Sequence, residues 1–168
     1  MEKTINFFGK NNRYQIKKVI KPEISKEKKN MKNLNEDFFQ IEKQRLDIRN
    51  PFTDCYELMS KNINIKIESY KHQDRLKNRT TEEYVTKEDV IQMLKECPVC
   101  YYCEKELLVI YKLKREPMQW TLDRVNNELA HEKTNVVLSC LKCNLERRCK
   151  NKDKFFFTKQ LKISKMDT

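Results

Sequence analysis

Two cysteine pairs, Cys100-Tyr101-Tyr102-Cys103 and Cys140-Leu141-Lys142-Cys143, each place two residues between their thiols. That spacing lets both sulfurs of a pair face one ion at about 2.3 Å, and two such pairs across a moderate loop have the form of a tetrahedral four-thiolate zinc site. Cys97 also makes a C-x-x-C with Cys100 and so competes with Cys103. Cys103 is preferred, because Cys97-Pro98 falls at a helix end and Tyr101-Tyr102 suits a knuckle turn. Four thiolates leave no coordination position for water, so this Zn2+ would be structural. Asp123, Arg124, His131 and Asn135 lie between the pairs, and Asn144 follows the last cysteine. Their oxygens and nitrogens could line a second, open site, and a structural zinc beside such a site points to nucleic-acid chemistry.

The elements that must position these groups read as α+β. Thr86 with Asp89 three residues later predicts an N-cap, and Val90, Ile91 and Leu94 follow at helical spacing, so a helix is expected over Lys87–Glu96. Cys97-Pro98 ends it. Residues 107–111, 120–122 and 136–138 are short β-rich runs, and residues 144–148 should be helical. Upstream, helices are expected on both sides of Asn50-Pro51, and residues 63–79 form an amphipathic stretch. The chain therefore divides into a basic, partly extended N-terminal arm (1–50), a helical segment (51–96) and a zinc-bound domain with a basic tail (97–168). Ile5, Phe7 and Phe8 form a small apolar cluster that could dock on the domain or on a protein partner. Phe155, Phe156 and Phe157 are expected to pack on the core.

Composition narrows the class. The net charge is +11, which suits a polyanion, and nucleic acid is the default polyanion. Charged residues make up 36% of the chain and hydrophobic ones 38%, a thin core for 168 residues that a metal staple would compensate. Seven cysteines are an odd number, and most sit in or beside C-x-x-C spacings. Met1 to Asn6 has no apolar h-region, and no stretch approaches the roughly 18 apolar residues of a membrane span. The expectation is an intracellular, reducing location with thiolates held by metal, neither secreted nor in a membrane. A single glycine excludes glycine-rich phosphate loops. Cys55 and Cys149 have no such spacing and read as ordinary thiols. The Lys/Asn-rich composition resembles that of AT-rich genomes, such as those of large DNA viruses, phages or mobile elements.

Taken together, Leu122-Asp123-Arg124-Val125-Asn126-Asn127, Asn135-Val136-Val137 and Cys140-Leu141-Lys142-Cys143-Asn144 resemble the HNH endonucleases of the His-Me finger (ββα-metal) class in their zinc-bound form. Cys100 to Cys103 resembles that family's first knuckle, and the likeness covers about the last 85 residues. It implies hydrolysis of DNA phosphodiester bonds, by nicking or cleavage, with one Mg2+ or Mn2+ under the scissile phosphate and a general base on the other side. By position, Asp123 and Asn144 are the ligands of that ion, and Asn135 braces the loop. Arg124 stands where the family usually has its general-base His and could clamp the phosphate instead. His131, in the family's H/Y position, could then supply the base. Glu104 and Ala130 replace two glycines of the pattern. A second reading keeps the ββα shape and loses hydrolysis, leaving a weak or inactive module that binds DNA within a nucleoprotein or transcription complex. A third is a zinc-ribbon factor. Singly, an Asp-Arg pair, two Asn turn residues and a loop His are commonplace; their order between two knuckles carries the reading.

Overall fold

A computed structural model describes residues 26–161. The apolar cluster at residues 5–8 and the end of the basic tail lie outside the described residues. The short 3-10 turns Lys29–Met31 and Glu36–Phe39 lead into helices α1 (Ile41–Asp47), α2 (Asp54–Leu76) and α3 (Lys87–Glu96). Strands β1 (Trp120–Arg124) and β2 (Val136–Cys140) follow, then helices α4 (Leu141–Arg147) and α5 (Lys152–Gln160). The strands form a two-stranded antiparallel sheet, with Trp120 opposite Cys140 and Arg124 opposite Val136. This is a mixed helix-and-sheet architecture. Among the described residues no helix is long and apolar enough to cross a membrane.

Local chemistry explains where the helices begin. Thr53 Oγ1 accepts from Tyr56 N at the start of α2. Thr86 and Asp89 form a reciprocal capping box that starts α3. α2 buries Cys55, Met59, Ile63 and Ile67, one residue per turn. That stripe shares one hydrophobic cluster with Val90, Ile91 and Leu94 of α3 and with Trp120 and Leu122 of β1. Burying each such side chain stabilises the fold by about 1.5–3 kcal/mol. α2 also reaches β1 through Lys66, whose Nζ donates to Gln119 Oε1 (3.1 Å) and to Trp120 O. Burial brings that ammonium down to about 7.

Two sequence expectations need correction here. Residues 26–50, the described part of the expected arm, are folded onto the domain. Met31 and Ile48 are buried in the core cluster, and Lys28 N and Lys114 N exchange hydrogen bonds with Lys112 O and Lys26 O. Residues 107–111, read as a strand, make only an isolated bridge, Leu108 to Gln119. The second correction has its cause in Gln44 of α1, which also ties α1 to the domain. This side chain is only 3% exposed. Its Oε1 accepts from Val109 N (2.8 Å) and Ile110 N (3.0 Å). Its Nε2 donates to Ile110 O (2.9 Å) and Phe38 O (2.8 Å). One amide thus uses its full bonding capacity and stands where a neighbouring strand would be. Gln44→Ala strips partners from four backbone groups. At about 1 kcal/mol or more for each buried group left unpaired, we expect a loss of roughly 3 kcal/mol, read as a lower urea midpoint. A change under about 0.5 kcal/mol would show that water replaces the amide.

α5 packs two of its three phenylalanines on the first knuckle. Phe155 meets Tyr102 edge-on (5.0 Å between centroids) and Phe156 lies against Tyr101 (5.3 Å). Phe157 remains 65% exposed.

Candidate functional site

The two knuckles converge. The sulfurs of Cys100, Cys103, Cys140 and Cys143 all lie within 4.8 Å of one another. Cys103 Sγ is 3.9 Å from Cys140 Sγ, near the edge of about 3.8 Å that a tetrahedron with 2.3 Å bonds requires. Cys97 caps the C-terminus of α3, is exposed and lies outside the cluster. The first knuckle turns tightly: Glu104 N returns to Cys100 O (2.9 Å), and Glu104 has φ 57°, the left-handed region that favours glycine. That geometry accounts for the glycine the family pattern has there. The second knuckle is the start of α4, where Cys140 is the N-cap and its sulfur accepts from Cys143 N (3.4 Å).

The protonation of these thiols is unbalanced. A hydrogen bond from Cys140 holds the Cys100 thiol down to about 5. That same bond and burial push Cys140 up, and burial pushes Cys143 up to about 12. A thiolate beside thiols that resist ionisation needs a cation before all four can ionise, and four converging sulfurs could hold a structural ion such as zinc.

Strand alternation sorts the remaining candidates onto the two faces of β1. Thr121 and Asp123 face α4, and Asp123 also meets Tyr102 of the first knuckle. Asn144, at the first turn of α4, donates through Nδ2 to Thr121 Oγ1 (3.1 Å) and Leu122 O (3.2 Å). Asp123 is buried and both its oxygens are engaged. Oδ2 accepts from Tyr102 Oη–H (2.5 Å), and Oδ1 is held by Arg147 Nη1 (2.8 Å). Arg147 is 1% exposed, and Nη2 donates to Val125 O (3.0 Å). Burial raises the Asp123 pKa, opposed by Tyr102 and Arg147.

Arg124 turns the other way, toward α2. Its Nη1 donates to Leu129 O (2.9 Å) and lies 3.5 Å from Asp74 Oδ1. Asp74 Oδ2 accepts from both His131 Nδ1 (2.8 Å) and His131 N (2.8 Å). The imidazole stacks on Tyr70 at 4.5 Å, and Tyr70 Oη accepts from Leu122 N (3.2 Å). A carboxylate on Nδ1 selects the Nδ1–H tautomer and leaves Nε2 as the basic nitrogen. Among the described residues Nε2 has no hydrogen-bond partner. Burial lowers the His131 pKa, with Asp74 opposing, so the ring is neutral at neutral pH.

Asn135 is the latch between the two strands. Its Oδ1 accepts from Asn126 N (2.8 Å), and its Nδ2 donates to Asn126 O (3.0 Å) and Ala130 O (2.9 Å). The five candidates therefore divide: Asp123 and Asn144 between β1 and α4, Arg124 and His131 on Asp74, and Asn135 in the loop joining the strands. Asp74, Tyr70, Tyr102 and Arg147 were missed. Arg147 carried a usable signal, because it stands one turn after Asn144 on α4. Asp74 carried none, being 57 residues from its histidine. The chain is a mixed helix-and-sheet protein with a four-cysteine cluster suited to a metal ion, and no family model, curated protein or solved structure matches it.

Proposed function

We propose that this chain is an HNH-type endonuclease that hydrolyses DNA phosphodiester bonds. The observation that carries the reading is His131, fixed on Asp74 with no hydrogen-bond partner on Nε2 among the described residues, beside Arg124 at the end of β1. His131 Nε2 takes the proton of the attacking water as its oxygen bonds to phosphorus and the ester P–O bond breaks, the leaving oxygen taking its proton from solvent; Asp74 holds the ring in the Nδ1–H form and stabilises the imidazolium that results. Arg124 has one guanidinium nitrogen tied to Leu129 O, and its other N–H groups are available to a phosphate oxygen as charge develops. The net charge of +11 supplies affinity for the DNA backbone.

The resemblance also implies Mg2+ or Mn2+ on Asp123 and Asn144. These residues, as folded, do not fit a divalent ion: the carboxylate is buried and already neutralised by Arg147, with Tyr102 on its other oxygen. No step is derived through such an ion. The same pair favours a second reading, in which the fold binds DNA and does not cut it.

Nicking of supercoiled plasmid by the zinc-loaded protein, with and without Mg2+ or Mn2+, tests both readings. We expect nicking whose rate falls on the acid side, as pH drops through a His131 pKa below the ordinary 6.5. Binding should weaken with salt at a log–log slope of about −0.9 per phosphate contacted. Salt-sensitive binding without nicking of any duplex, single-stranded or branched DNA would replace hydrolysis with binding alone.

A further inference from the structure

The Asp123 carboxylate has a cation of its own. We propose that Arg147 is built into the place where the resemblance puts a divalent ion, and that its guanidinium excludes such ions from Asp123. The contacts match what a bridging ion would do. Nη1 meets Asp123 Oδ1 at 2.8 Å, and Nη2 meets Val125 O at 3.0 Å. One side chain from the last turn of α4 thus joins the end of β1 to the loop that follows it. Tyr102, from the first knuckle, takes the other carboxylate oxygen.

Three observations argue that the guanidinium belongs there. Arg147 is almost wholly buried, so it is not a surface side chain that happens to swing inward. Its one buried nitrogen without a partner is Nε, and both terminal nitrogens are bonded, so the group is oriented toward Asp123. The backbone turns immediately afterwards, with Arg148 at φ 51°, which fixes where α4 ends and Arg147 begins its reach. Arginine suits this place better than lysine because its planar fork serves a carboxylate and a carbonyl together. A divalent ion on the same carboxylate would sit beside a buried like charge, where burial leaves the repulsion little screened. Asn144 cannot offset this, because its amide nitrogen is committed to Thr121 and Leu122, leaving one neutral oxygen.

The inference goes beyond the nuclease reading and is independent of it, since ion binding and DNA cutting are measured separately. The test is Mn2+ titration of the zinc-loaded full chain, followed by paramagnetic broadening of backbone amide signals. In the wild type the amides of residues 121–126 and 144–147 should stay sharp at substoichiometric Mn2+. Selective broadening of that set would overturn the proposal, whatever the variants do. Arg147→Met should then gain a Mn2+ site on Asp123, at least about tenfold tighter than any binding there in the wild type. A folded Arg147→Met protein that gains no such site would also overturn it, because the guanidinium would not be what keeps the ion out.

Discussion

Removal of the metal from the four thiolates should unfold the described chain as a unit. Binding of a structural zinc is worth roughly 10–16 kcal/mol, comparable to the whole stability of an ordinary domain at about 5–15 kcal/mol. Here the knuckles are part of the interior. Cys100, Cys140 and Cys143 belong to the same buried cluster as Met59 and Ile63 of α2 and Phe155 of α5. Tyr102 stands between two of the cysteines, packs on Phe155 and holds Asp123. The sulfurs freed by chelation include thiols whose ionisation the fold resists, so they take up protons and no common ion then joins the two knuckles. Chelator titration followed by near-ultraviolet circular dichroism should show one cooperative loss of tertiary signal, in step with release of one equivalent of zinc. A variant with all four cysteines changed to Ser that keeps the native spectrum and urea midpoint would refute the staple.

The second large effect concerns Asp74 and His131. If His131 is the general base, His131→Ala should slow nicking by about 10²–10⁴-fold. Asp74→Asn is the more discriminating change. The oxygen on Nδ1 also accepts from His131 N, so an asparagine keeps its Oδ1 there and the Nδ1–H tautomer with it; what is lost is the charge that stabilises the imidazolium. A loss of about a hundredfold or more is expected, with DNA affinity within about twofold of the wild type. The direction of the pH change is also set. Asp74 raises the His131 pKa against burial, so any residual activity should lose its acid limb at still lower pH. A packing role for Asp74 would not move that limb. Nicking by Asp74→Asn within about tenfold of the wild type would place the base elsewhere.

What could be read from the sequence followed from proximity along the chain. The cysteine pairs are local, as are the Thr86–Asp89 box and the break at Asn50-Pro51, and the structure shows a four-sulfur cluster, a capped α3 and helices flanking that proline. Residues that bond at long range gave no sign. Gln44 meets Ile110 across 66 positions, and Asp74 meets His131 across 57. A glutamine on a short polar helix looks solvated until the backbone it pairs with is in place. For the same reason residues 107–111 looked like a strand: their apolar run is that of a buried segment, and periodicity cannot say whether its hydrogen bonds go to a strand or to a side chain. Asp123 and Arg124 are adjacent in sequence and suggested one site, yet the two-residue period of an extended strand sends them to opposite sides.

That alternation makes β1 tolerant of one kind of genetic change and intolerant of another. Each side of the strand can drift by substitution without disturbing the other, so the half that meets α4 can be held constant while the half that meets α2 changes its chemistry. Gain or loss of a single codon between residues 120 and 124 is different. It would present Arg124's chemistry to α4 and Asp123's to α2, exchanging the two environments at a stroke.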